Sequence, residues 1–240
     1  MRKYYHFEKI DSTSSYLKSN YDKYDDLTFV SADFQENGHG RNKRKWYSKN
    51  KEDLLFSVLI KDKELINKFD VMSLCSATII YEVLKENGVE NIKIKWPNDV
   101  FVGNKKISGV LLESVSYGGN IHALVLGVGI NVNSSFFEKG MINEPTSIFL
   151  ETNKKRNIND FKNVVYSKFI EMFNNIKKGD NSYLDIIRKN NYLKGKKAYA
   201  YINNKKELVE VIDINEDNTL KIKLGEDVIN ICSGEITFNT

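Results

Sequence analysis

Dense apolar runs and helically spaced apolar residues alternate through the first two thirds of this chain. Thr28–Phe34 and Leu54–Ile60 read as strands, and Ile92–Trp96 alternates as a third. Val100–Val102 and Ile107–Leu112 predict a hairpin turning at Gly103-Asn104. Ala123–Val132 is almost wholly apolar, as in a strand covered on both faces. Asp11 and Ser12 can cap a short helix running to about Asn20. Helical spacing appears at Phe69, Met72, Ser76, Ile80 and Val83–Leu84, with Gly88 as its stop, and again at Phe161, Val165, Phe169, Met172 and Ile176, ended by Gly179.

After about Lys194 the pattern changes to short alternating strands: Ala198–Ile202, Leu208–Asp213, Leu220–Leu224, Val228–Cys232 and Glu235–Phe238. Turn pairs such as Asn203-Asn204 and Asp217-Asn218 separate them, which predicts a small barrel. A boundary near residue 190 divides the chain into 1–190 and 191–240.

Composition narrows the class. The chain has 240 residues, 41% hydrophobic and 28% charged, enough to bury a core. The net charge of +4 is mild and spread along the chain, which disfavours a nucleic-acid-binding protein. No apolar run approaches the ~18 residues of a membrane span, and Met1–Asp11 has no leader-like apolar stretch. A cytoplasmic protein is expected, with Cys75 and Cys232 as reduced core residues, since neither has Cys or His at metal-ligand spacing.

Four segments carry candidate chemistry. Gln35–Asp53 has no apolar periodicity and holds six cations, Arg41, Lys43, Arg44, Lys45, Lys49 and Lys51. Within it, Gly38 and Gly40 permit close backbone approach to a ligand, and Arg41 and Arg44 suit bidentate phosphate contacts. By charge alone the same loop reads as a solvated turn. Lys95-Trp96-Pro97-Asn98-Asp99 brings an amide and a carboxylate to a strand end, while as composition it is a plain turn. In Lys105–Glu113, Lys106 enters an apolar strand and Gly109 marks a close approach. Gly127-Val128-Gly129-Ile130-Asn131 lies mid-strand and lacks the third glycine of a dinucleotide fingerprint. His6, His39 and His122 are scattered, without nucleophile–base logic. Cations, amides and glycines suit polyanion handling.

These segments resemble bacterial biotin–protein ligases of the form without an N-terminal DNA-binding domain. The resemblance rests on Asp11-Ser12-Thr13-Ser14 with Gln35, and on Gly38–Trp46, Lys95–Asp99, Lys106–Glu113 and Gly127–Asn133 in order. Pro145-Thr146-Ser147-Ile148 and Ser233-Gly234-Glu235-Ile236 extend it over nearly the whole chain.

The resemblance implies an α+β fold, a mixed sheet flanked by helices followed by an SH3-like barrel. It implies ATP-dependent formation of biotinyl-5′-AMP, with magnesium, and transfer of biotin to a lysine of a biotin carboxyl carrier domain. Ser12, Thr13, Ser14, Gln35, His39, Gly40 and Gly109 are expected on the biotin side. Arg44, Trp46, Asn98 and Asn131 are expected on the ATP side, and Asp99 at a magnesium ion. Lys106 and Arg41 are expected to touch both substrates and act catalytically.

His39 stands where that family usually has arginine, and Lys43 where it commonly has glycine. The family allows a monomer or a homodimer. Since Met1 aligns with the start of the catalytic part, DNA binding is not expected. A lipoate–protein ligase and a non-catalytic biotin-binding module remain the alternatives. The loop glycines and the lack of apolar anchors predict a loop that is mobile until biotin arrives and then closes over it.

Overall fold

The computed structural model describes residues 3–138, 141, 143–202 and 205–232. Seven strands form one sheet: β1 (Tyr4–Ile10), β2 (Thr28–Gln35), β3 (Leu54–Ile60), β4 (Ile92–Lys95), β5 (Asp99–Val102), β6 (Lys105–Tyr117) and β7 (Asn120–Ile130). Their order is β1-β2-β3-β7-β6-β5-β4. Only the β1–β2 pair is parallel, so the sheet is mixed.

Among the described residues six α-helices accompany it: α1 (Thr13–Ser19), α2 (Lys63–Ile66), α3 (Phe69–Glu86), α4 (Ile148–Thr152), α5 (Ile158–Lys177) and α6 (Tyr183–Lys189). α3 and α5 cover one face of the sheet. The predicted stripe Phe161, Val165, Phe169, Met172 and Ile176 is buried there, and Phe169 meets Phe56 edge-on with ring centroids 5.3 Å apart. α1 covers the other face through Leu17, packed with Val30, Leu59, Ala123 and Val125. With both faces covered, β3 is buried at every position, which explains its unbroken apolar pattern.

The C-terminal strands β8 (Lys197–Ile202), β9 (Lys205–Ile214), β10 (Leu220–Leu224) and β11 (Asp227–Ile231) form a separate antiparallel sheet in the order β11-β10-β9-β8. Among the described residues this sheet is open, so the five-stranded barrel expected from the alternation is seen as four strands. The fifth expected strand, Glu235–Phe238, and the Ser233–Ile236 motif lie outside the described residues. Val209, Val211, Leu220 and Ile222 share one apolar core with α3 and α5.

Other expectations are corrected. β1 was not predicted, because its burial alternates along a sheet edge and leaves no apolar run. α2, α4 and α6, of 4, 5 and 7 residues, are too short for helical periodicity to show. Cys75 is buried, but Cys232 is exposed just beyond β11, and neither forms a disulfide. No helix among the described residues is long and apolar enough to cross a membrane.

Candidate active site

A cavity of about 540 Å³ opens between the basic loop and the C-terminal half of the sheet. Every residue expected at the site lines it: Ser12, Thr13, Ser14, Gln35, His39, Gly40, Arg41, Arg44, Trp46, Asn98, Asp99, Lys106, Gly109 and Asn131. Its volume falls in the usual range for a small-molecule site.

One end of the cavity is a relay of hydroxyls. Thr13 N–H donates to Gln35 Oε1 at 2.7 Å, and a backbone N–H can only donate, so the amide oxygen must face it. The Thr13 hydroxyl donates to the same oxygen at 2.9 Å. Its proton being used there, Ser57 Oγ donates to Thr13 Oγ1 across 2.7 Å, and Ser14 Oγ donates to Ser57 Oγ across 2.9 Å. The relay ends in the lone pairs of Ser14 Oγ and the N–H groups of the Gln35 amide, offering both an acceptor and a donor.

Ser57 was missed by the sequence reading. A lone hydroxyl in the middle of the apolar run Leu54–Ile60 was the available signal, and it is fully buried opposite Gly127. Ser12 lines the cavity but also caps α1, its Oγ accepting from Ser15 N–H at 3.3 Å.

The other end is cationic. Arg41, Arg44, Lys45, Lys95 and Lys106 line it with one carboxylate, Asp99, among the described lining residues. Lys106 Nζ lies 2.8 Å from Asp99 Oδ1, an ion pair without hydrogen-bond alignment. Asn98 serves its neighbours first: its Nδ2 donates to Val110 O at 2.6 Å, and its Oδ1 accepts from Arg41 Nη1 at 3.4 Å. Burial holds the Arg41 guanidinium below the ordinary arginine range, against the opposing pull of Asp99. Asn131 is buried and spends an amide hydrogen on Thr146 O at 2.8 Å. The Trp96-Pro97 bond is cis.

The basic loop folds back on itself. Trp46 N–H donates to Gly38 O and Gly40 N–H to Arg44 O, both at 2.8 Å, around a 3-10 turn at Arg41–Lys43 in which Asn42 takes φ +55°. The expectation that the loop has no apolar anchor is wrong. The Trp46 indole lies on the paired glycines Gly109 and Gly129, where a Cβ added to Gly129 would fall 2.5 Å from the ring. Its Nε1 is buried without a hydrogen-bond partner. Beside Gly109, Lys106 Nζ lies 5.4 Å from the ring centroid. The mid-strand glycines therefore make room for a ring. His39 Nε2 lies 3.7 Å from Glu113 Oε2, whose other oxygen accepts from Lys18 at 2.7 Å.

Asp53 ties down the far end of the loop. It is 2% exposed and accepts from Val132 N–H at 2.9 Å and Ser134 Oγ–H at 2.7 Å. Burial raises its carboxyl above the usual range, opposed by those donors. With an upward shift, its contribution to stability is full below its unfolded value and is lost as pH rises through its folded value. Asp53→Ala leaves buried donors without an acceptor and is expected to cost about 2–4 kcal/mol of unfolding free energy. Denaturant titration measures this, and a loss below about 1 kcal/mol would show that the anchor is dispensable.

The comparisons with known proteins agree with this geometry. Residues 6–131 match the model of the biotin/lipoate A/B protein ligase family. The chain is 30% identical over 135 residues to the bifunctional ligase/repressor BirA of Escherichia coli, a match covering 56% of this chain and 42% of that protein. It is 35% identical over 63 residues to a biotin–[acetyl-CoA-carboxylase] ligase of Paracoccus denitrificans, covering 25% of this chain and 26% of that one. The chain thus spans about two fifths or less of these relatives' length. The solved structure of biotin protein ligase from Aquifex aeolicus in complex with biotin and ATP superposes with a TM-score of 0.80 at 26% identity, covering 99% of both chains. The family match covers more than half of the chain and contains the hydroxyl relay, the basic loop and Lys106, so this chain belongs to the biotin/lipoate A/B protein ligase family.

Proposed function

We propose that the chain is an ATP-dependent biotin–protein ligase. It joins biotin to ATP as biotinyl-5′-AMP with release of pyrophosphate, then passes the biotinyl group to a lysine of a biotin carboxyl carrier domain of a biotin-dependent carboxylase. The observation that carries this reading is the polarity of this cavity. One end offers a hydrogen-bond donor and acceptor set in apolar walls, and the other offers five cations against one carboxylate.

The roles follow from the geometry. The ureido ring of biotin has N–H donors and a carbonyl acceptor, which match Ser14 Oγ and the Gln35 amide at the ends of the relay. Thr13 and Ser57 orient those ends, and Ser12 holds the helix that presents them. His39 and Gly40 cover the biotin chain, and Gly109, lacking a side chain, lets the Lys106 ammonium lie against the strand where it meets the biotin carboxylate. Lys106 and Arg41 bring the carboxylate and the α-phosphate together against their repulsion and stabilise the charge that develops between them. Arg44 takes phosphate oxygens, Trp46 gives the base a flat surface, and Asn98 and Asn131 frame the nucleotide. Closure of the loop excludes water from the hydrolysable adenylate.

Magnesium fits as an ion brought with the nucleotide. The described residues contain no cluster of three metal-ligating side chains, but nucleotide-bound magnesium needs only one or two carboxylates beside phosphate oxygens. Asp99 lies at the cationic end and would hold it. When bound, the ion neutralises phosphate charge. We also read residues 191–240 as a small SH3-like barrel beside a catalytic unit of residues 1–190.

A lipoate–protein ligase is the competing reading within the family. The relay favours biotin, because a dithiolane ring has no hydrogen-bonding edge to meet Ser14 and Gln35. Incubation with MgATP, an acceptor domain and either biotin or lipoate, read by intact mass, tests this. A mass increase with biotin and ATP is expected; labelling by lipoate alone would overturn the reading.

A further inference from the structure

Lys95 ends β4 on the cavity wall and is only 7% exposed. Among the described residues, no carboxylate lies within ion-pair distance of its ammonium. Asp99, its partner across the β4–β5 ladder, is paired instead with Lys106 at 2.8 Å. Besides the longer-range pull of Asp99, two rings lie near its charge: Phe101, with its centroid 5.3 Å from Nζ, and Tyr192, at 5.8 Å. Those rings stack on each other at 4.8 Å. Burial pushes the ammonium below the ordinary lysine range; Asp99 pulls it back, and Lys106, Lys196 and Arg44 push it further down. A charge buried like this is costly, and an apolar side chain of similar volume would be more stable. A ligand anion entering the cavity would supply what the fold does not.

We propose that Lys95 is a further catalytic residue, the cation that receives the pyrophosphate leaving group. The proposal rests on the ligase reading above. In the adenylation step a biotin carboxylate oxygen forms a bond to the α-phosphorus. The bond from that phosphorus to the oxygen bridging the α- and β-phosphates breaks, and its electron pair stays on the departing oxygen. These bond changes move no proton, so fixed cations must meet the charge that builds on the leaving group. Lys106 is committed to the carboxylate and the α-phosphate. Lys95 reaches the cavity from the end of β4 with the nearby carboxylate of Asp99 paired to Lys106, and the rings beside it do not compete as anions.

The test compares the unaltered protein with Lys95→Met and Lys95→Arg, using inorganic pyrophosphate as the probe. Lys95→Met is expected to weaken pyrophosphate binding at least tenfold and to slow biotin- and ATP-dependent adenylate formation by about 10²-fold. It is also expected to raise the thermal unfolding midpoint of the unliganded protein, because a buried charge has been removed. Lys95→Arg should recover part of the pyrophosphate affinity. The proposal is overturned if Lys95→Met binds pyrophosphate as tightly as the unaltered protein. It is equally overturned if the variant melts lower and loses biotin and pyrophosphate affinity together, as a structural lysine would. Failure of the ligase reading looks different: the unaltered protein would bind pyrophosphate through Lys95 yet form no biotinyl adenylate.

Discussion

Lys106→Ala is expected to abolish biotin transfer to an acceptor domain, with adenylate formation falling by about 10²–10³-fold or more. Two losses combine. The substitution removes the cation placed between the two anions that must react. It also strips Asp99 of the partner 2.8 Å away, leaving a carboxylate facing the incoming phosphates. The fold should persist, because Lys106 contributes to it through its backbone. Its N–H donates to Glu144 O at 2.7 Å, and its carbonyl accepts from Thr146 N–H at 2.9 Å. The expected result is an unchanged circular dichroism spectrum and melting midpoint with no acceptor mass shift. Near-normal labelling would remove Lys106 from the reaction and, with it, the main support for a carboxylate beside Asp99.

Gly129→Val should be almost as damaging, by a steric route. A Cβ at 129 falls 2.5–2.8 Å from the Trp46 indole, closer than atoms can approach. The ring must leave its seat, and the loop hydrogen bond from Trp46 to Gly38 goes with it. Gly127→Ala supplies the contrast, because its Cβ would meet Ser14 Oγ at 2.5 Å, at the relay end of the cavity. We therefore expect Gly129→Val to cut ATP-dependent adenylation by at least about 10²-fold while biotin still binds. Gly127→Ala should chiefly weaken biotin binding. Calorimetric titration of biotin with and without a non-hydrolysable ATP analogue separates the two, and equal losses of both ligands in both variants would contradict the two-ended cavity.

Much of this protein was legible in its sequence wherever local spacing carries the information. β3 and the long helices α3 and α5 follow from apolar periodicity, because a strand covered on both faces and a helix against a sheet each leave a repeating pattern. The chemical inventory was also legible. Cations, amides and glycines without a nucleophile–base set pointed to anion handling, and the order of the motifs pointed to the family.

Tertiary structure decided which of those residues meet, because pairing across a sheet depends on strand order, which no local spacing encodes. Strand β7 lies between β3 and β6, so Ser57 faces Gly127 and Gly109 faces Gly129, residues far apart in the chain. That register turns two glycines into a seat for Trp46 and joins Thr13, Ser14, Gln35 and Ser57 into one relay. It also turns Lys106 toward Asp99 and leaves Lys95 buried beside two stacked rings, a difference between two lysines that no reading of the residues one by one contains.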